Sequence, residues 1–155
     1  MANKWSLSTT VLLALIVSGL AIPAASAKRE SSASQATSRA TLKVAQTKRH
    51  GLFVVDARGY SLYLFVREKG GRIVCTDLCT RDWPPFLTNG KPRAGRGVNP
   101  RLLGTRRRTK PAGLQVTYNR RPLYFYRRDV KPGWTKGHQV DSEWFLISPT
   151  GRDVN

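Results

Sequence analysis

The chain has 155 residues, of which 27 are basic and 9 acidic, giving a formal net charge of +18. That length leaves room for one ordinary domain and little more. The charge excludes a neutral surface and favours a polyanionic neighbour such as nucleic acid, lipopolysaccharide, an anionic membrane face or an acidic polysaccharide. The bland alternative is a protein that is basic for solubility alone.

At the start, Lys4, an apolar run over 11–20 and the small-x-small triplet Ala25-Ser26-Ala27 follow one another in the order of a signal peptide, assigned to residues 1–27. The competing reading is an uncleaved anchor. Ser18, Gly19 and Pro23 interrupt the run, which falls short of the roughly 20 residues a bilayer demands. No cysteine follows it to carry a lipid, so the expected mature chain is released, periplasmic or secreted. Cleavage removes Lys4 and no acid, leaving +17.

Residues 28–50, rich in Ser, Ala and Thr, read as a flexible lead-in. Order is expected over 51–155. Leu52-Phe53-Val54-Val55, a turn at Asp56-Ala57-Arg58-Gly59 and the returning run 60–66 predict a β-hairpin. A second hairpin is predicted from 114–118, a turn at Asn119-Arg120, and 122–126. Leu62 and Leu123, Tyr63 and Tyr124, Phe65 and Tyr126, Glu68 and Asp129, Asp82 and Glu143, Trp83 and Trp144, and Gly90 and Gly151 all stand 61 positions apart. One offset through aromatic, acidic and glycine positions predicts a tandem duplication, with copies at about 52–90 and 113–151. Pro84 and Pro85 bar Trp83's segment from an interior strand, whereas Trp144's segment can be one. Short helical turns are expected near 75–82 and 100–103. The fold class is therefore mainly β, a single compact domain of two hairpin-containing repeats.

Two motifs, Tyr63-Leu64-Phe65-Val66-Arg67-Glu68 and Tyr124-Phe125-Tyr126-Arg127-Arg128-Asp129, resemble the Yx(FWY)xxD motif of a family of bacterial secreted-repeat proteins, often predicted lipoproteins. Cys75-Thr76-Asp77-Leu78-Cys79, Asp82-Trp83-Pro84-Pro85, Leu102-Leu103-Gly104, Val116-Thr117-Tyr118-Asn119, Lys131-Pro132-Gly133, Trp144 and Ser148-Pro149-Thr150-Gly151 look like that family's landmarks in order. The resemblance covers roughly 53–154. Glu68 departs from the motif's aspartate, Asn119-Arg120 from a commoner Asn-Gly, and the lipid-attachment cysteine is missing. The resemblance implies the fold and export, and brings neither an activity nor a ligand.

Several motifs carry a sharp and a bland reading. Strand alternation puts Tyr63 and Phe65 on one face and Leu62, Leu64 and Val66 on the other, and Tyr124 and Tyr126 opposite Leu123 and Phe125. The aromatics are expected to pack a core, with Glu68 and Asp129 accepting turn amides or pairing with arginines. An exposed stacking platform for sugars or bases is the alternative. Cys75 and Cys79 lie four apart in an exported chain, where a local disulfide needs a Cα separation of about 5 to 6 Å. Ligation of copper or zinc with His50 or His138 is the weaker reading. No nucleophile–base pair, paired-carboxylate site or phosphate-cradling glycine loop stands out, so neither an enzyme nor a cofactor is implied.

Between Asp82 and Asp129 there is no acidic residue, and twelve basic ones fall in that gap. Within it, 106–110 is expected to be an exposed loop. It is read either as a bidentate anion site or as a solvated connection. Arg106, Arg107, Arg108, Lys110, Arg120, Arg121, Arg127 and Arg128 are the candidate polyanion contacts, with Tyr63, Tyr124, Trp83 and Trp144 supporting them. The expected function is an exported, non-enzymatic binding protein contacting an anionic envelope or extracellular partner. The alternatives are a periplasmic redox or metal-handling accessory using Cys75, Cys79 and His138, or a structural envelope protein.

Overall fold

In Thr41-Leu42-Lys43-Val44-Ala45-Gln46-Thr47, apolar and polar side chains alternate through Val44, as a half-buried strand requires. In the computed structural model, which describes residues 38–155, this stretch is β1 (Thr41–Thr47). It turns through Lys48-Arg49-His50 into β2 (Gly51–Asp56), paired antiparallel from Leu42↔Asp56 to Thr47↔Gly51. Gly51 takes a left-handed φ of 63°, which a glycine adopts without steric cost. Order therefore reaches back to buried Ala40 and Leu42, and the flexible lead-in expected over 28–50 is corrected for 40–50. Leu42 is the one fully buried side chain of a strand otherwise mixed with polar residues, so its composition mimics a linker. The signal peptide assigned to 1–27, and residues 28–37 of the lead-in, lie outside the described residues.

A longer hairpin follows later in the chain. β6 (Leu103–Thr109) pairs antiparallel with β7 (Ala112–Tyr118) from Leu103↔Tyr118 to Thr109↔Ala112. The exposed loop expected at 106–110 is thereby corrected: Arg106, Arg107 and Arg108 are strand residues, and only Lys110 and Pro111 form the turn. Seven cross-strand pairs on β7 outweigh the mutual repulsion of three adjacent arginines, which alternate to opposite faces.

The two hairpins expected at 52–66 and 114–126 form only at their turns. Leu62 N–H donates to Val54 O at 3.2 Å and Leu123 N–H to Val116 O at 3.0 Å. Beyond that point each returning strand leaves for a different partner. β3 (Tyr63–Phe65) pairs with β9 (Trp144–Leu146), with Tyr63 opposite Leu146 and Phe65 opposite Trp144. Tyr63 and Tyr124 exchange main-chain bonds, each N–H donating to the other's carbonyl at 2.9 Å. Val66 N–H donates to Glu143 O and Arg127 N–H to Asp82 O, both at 2.9 Å, so the exchange recurs at the same 61-residue spacing. The cause lies in the side chains. A strand apolar on both faces must be covered on both, which a two-stranded hairpin cannot do.

The remaining strands are short: β4 (Leu87–Thr88), β5 (Arg93–Ala94) and β8 (Arg121–Pro122). They complete a sheet ordered β2-β1-β5 and another ordered β4-β7-β6 with β8 on β7. A helical turn α1 (Cys79–Asp82) and 3-10 turns at Lys69–Gly71 and Pro100–Leu102 make up the described helix. Pro84 and Pro85 keep their segment from forming a regular strand, although it is bonded alongside 123–127, with Phe125 N–H donating to Pro84 O at 2.8 Å and Pro85 bridging Tyr124, whereas Trp144 enters a full strand.

Alternation along β3 divides the core. Leu62 and Leu64 join Leu42, Val54, Val116 and Ile147 in one cluster, while Tyr63 and Phe65 join Trp83, Tyr124 and Trp144 in the other. The protein is mainly β and forms one compact domain. Among the described residues no helix is long and apolar enough to cross a membrane.

Candidate functional site

The motif residues assemble around the second cluster. Trp83 and Trp144 stack with centroids 3.8 Å apart, and Tyr126 and Phe65 stack on their respective partners at 4.4 Å. Tyr63 and Tyr124 are fully buried, and their hydroxyls cross to the acidic residue of the other motif. Tyr63 Oη donates to Asp129 Oδ2, and Tyr124 Oη to Glu68 Oε1 at 2.9 Å. Main-chain amides add to each carboxylate: Val74 and Cys75 N–H donate to Glu68 Oε1, leaving the buried Oε2 without a partner among the described residues, and Lys136 N–H donates to Asp129 Oδ1. Burial thus takes these rings away from a stacking platform for sugars or bases, and the core reading of the aromatics holds.

Burial pushes both tyrosine hydroxyls up, and the adjoining carboxylates add to the shift, so both remain protonated donors. Burial also pushes Glu68 and Asp129 above the ordinary carboxylate range, against the opposing pull of the amides and tyrosines that donate to them.

Cys75 and Cys79 are joined in a disulfide with Cα atoms 5.3 Å apart, closing the turn that leads into α1. The cysteines are thus bonded to each other, while His50 and His138 meet elsewhere with ring centroids 4.6 Å apart. His138 Nδ1 accepts from Leu146 N–H at 3.3 Å. Among the described residues no group of three or more His, Cys, Asp or Glu side chains is placed to hold a metal.

The eight candidate basic residues are spread over β6, the turn after it, the β7–β8 turn, β8 and the turn after Tyr126. Arg106, Arg107, Lys110, Arg120, Arg127 and Arg128 are exposed. Of these, Arg127 pairs with Asp82 at 2.9 Å and Lys110 lies 3.8 Å from Asp77. Among the described residues the other four pair with no acidic side chain. Arg108 is the exception and corrects its assignment as a surface contact, because it is only 4% exposed. Its guanidinium donates to Gln115 Oε1 at 2.7 Å, Cys75 O at 2.9 Å and Lys110 O at 2.6 Å, tying β6 to β7 and to the disulfide turn. Arg121 is half-buried and donates to Phe65 O at 3.0 Å.

Two contributors have no clear signal in the sequence. Gln115, fully buried, accepts from Arg108 and donates to Leu123 O at 2.8 Å. Gly137 packs against Trp83, Tyr126 and Tyr63, where a Cβ would sit 2.9 Å from each. A polar residue amid the apolar stretch of β7 was the only sign of Gln115, and Gly137 falls in a loop-like stretch with none.

The second motif, Tyr124 to Asp129, lies in the irregular stretch between β8 and β9 that leads to Trp144. Residues 107–148 match a secreted repeat of unknown function. The secreted repeat spans the end of β6 through β9 and agrees with the family resemblance read from the sequence. Its description as secreted agrees with an extracellular or periplasmic location. No curated protein and no solved structure matches the chain.

Proposed function

We propose that the protein acts outside the cytoplasm by binding rather than catalysis, and that its exposed arginines contact an anionic envelope or extracellular partner. The observation that carries this reading is the contrast among its arginines. Arg108 is buried and bonded within the fold, while Arg106 and Arg107 beside it are exposed and free of acidic partners among the described residues. Guanidinium groups left in solvent are suited to bidentate contact with phosphate, sulfate or carboxylate oxygens. The motif residues Tyr63, Tyr124, Trp83 and Trp144 act in this reading as the support of that surface. The 61-residue pattern is read as a duplication, supported by the crossed tyrosine–carboxylate bonds.

The test is binding of the mature protein to lipopolysaccharide, DNA, a heparin-like polysaccharide and anionic vesicles across a salt series, beside an Arg106→Ala/Arg107→Ala variant. Binding should weaken as salt rises, and on DNA the variant should lower the salt slope by about two, near one for each lost phosphate contact. Equal binding by both proteins, or none at low salt, refutes the reading.

A further inference from the structure

We propose that the outer edge of β6 receives an extended acidic polypeptide segment as an added parallel strand. In β7, Val116 N–H donates to Phe86 O at 2.9 Å and Val116 O accepts from Leu123 N–H at 3.0 Å. Both main-chain groups of Val116 are thus turned away from β6. Its cross-strand partner Thr105 therefore directs its own N–H and carbonyl away from β7, to the open edge. The two-residue period extends this to Arg107, opposite Leu114. Among the described residues nothing bonds the main chain of Thr105 or Arg107 on that side, and both residues are exposed. Such a row of unpaired groups is a template for strand addition.

The other long hairpin has the same edge filled. Leu42 and Val44 of β1 stand 61 positions before Leu103 and Thr105. β5 and the residues after it run parallel along them. Gly95 N–H donates to Leu42 O at 2.6 Å, and Val44 N–H to Arg96 O at 2.9 Å. On β6 the equivalent cover is lacking among the described residues.

Charge selects the occupant. Two β6 edges brought together would set guanidinium against guanidinium, so the arginines disfavour a second copy. Arg106 and Arg107 lie on opposite faces of β6 and flank an incoming strand from both sides. Carboxylates on that strand would meet them in bidentate geometry. The inference rests on the reading that the basic surface takes an anionic partner, and adds the class of partner and its mode of attachment.

The test uses the mature chain and a peptide of adjacent Glu pairs separated by Val, which places carboxylates on both faces of the strand, the same peptide N-methylated at alternate residues along its bonding edge, and heparin. Titration gives affinity, and amide hydrogen exchange followed by NMR reports on Thr105 and Arg107. The unmodified peptide should slow exchange at both amides. N-methylation should weaken binding by about thirtyfold, the effect of losing roughly two main-chain hydrogen bonds. Arg106→Glu/Arg107→Glu should remove binding while the far-ultraviolet circular dichroism stays unchanged. Equal binding by the N-methylated peptide, unaltered exchange at both amides, or no peptide binding overturns the proposal. Heparin then separates the two readings: if it binds, the basic surface stands and only strand addition falls, and if it does not, both fall.

Discussion

Trp83 lies face to face on Trp144, with ring centroids 3.8 Å and planes 2° apart. The relationship is reciprocal around the pair: Tyr126 stacks on Trp83 as Phe65 stacks on Trp144, each at 4.4 Å. Each ring therefore draws its two stacking partners from the distant segment of chain, and neither segment can complete this cluster alone. Since both indoles are nearly buried, the stack joins the two motifs through dispersion and apolar burial.

Replacing either tryptophan by alanine should cost about 3 to 5 kcal/mol of stability, the range for deleting a buried aromatic ring. Because each ring covers the other, the double variant should cost less than the two single costs added together. Urea unfolding of the four proteins measures this coupling, and additive costs would mean the two rings pack independently.

Arg107 and Arg108 should separate cleanly on substitution. Arg108→Ala strands Gln115 Oε1 and the carbonyls of Cys75 and Lys110, and should cost about 2 to 4 kcal/mol, as unsatisfied buried polar groups do. Arg107→Ala removes an exposed side chain and should stay within about 0.5 kcal/mol. Thermal unfolding at neutral pH distinguishes the pair, and similar midpoints would refute the structural role of Arg108.

The sequence reveals what is buried better than what it is buried against. Tyr63, Phe65, Tyr124 and Tyr126 are legible as core because strands apolar on both faces must be covered. Their partners are not, since local pattern suggests the nearest strand, whereas Tyr63 pairs with Tyr124 and Leu146. β1 is hidden for a related reason: with only Leu42 fully buried, it carries too little apolar signal to distinguish it from a linker. Arg108 is illegible because its burial depends on Gln115 and on a carbonyl from the disulfide turn, neither of which marks its own position. The Cys75–Cys79 pairing was legible, being set by short spacing and the expected compartment.

Gly137 should tolerate no side chain. An alanine Cβ would lie 2.9 Å from atoms of Trp83, Tyr126 and Tyr63, all held by ring stacking or hydrogen bonds. Gly137→Ala should therefore cost about 1 to 3 kcal/mol through overpacking. If Gly137→Ala unfolds at the same urea concentration as the unsubstituted protein, the crowding at Gly137 is not what matters.

The pH response contains two opposed contributions. Burial, with Arg49 beside both rings, holds His50 and His138 below their ordinary value of 6.5, and His50 further lowers His138. The unfolded chain therefore binds more protons at these sites, so their stabilisation is full above about pH 6.5 and is lost as pH falls through the lowered folded values. Glu68 and Asp129, raised by burial, act the other way: the folded chain holds their protons more tightly, and that stabilisation is lost as pH rises through their raised values. Substituting one group of each kind separates them. Between about pH 7.5 and about pH 5.5, His50→Gln should lose less stability than the unsubstituted protein, because its partner ring then meets no second cation. Glu68→Gln should lose more as the pH is taken on down towards 4.5, because it forfeits the compensating gain on acidification. Urea unfolding across this pH range provides the comparison, and superimposable changes in all three proteins would exclude both groups as the source of the response.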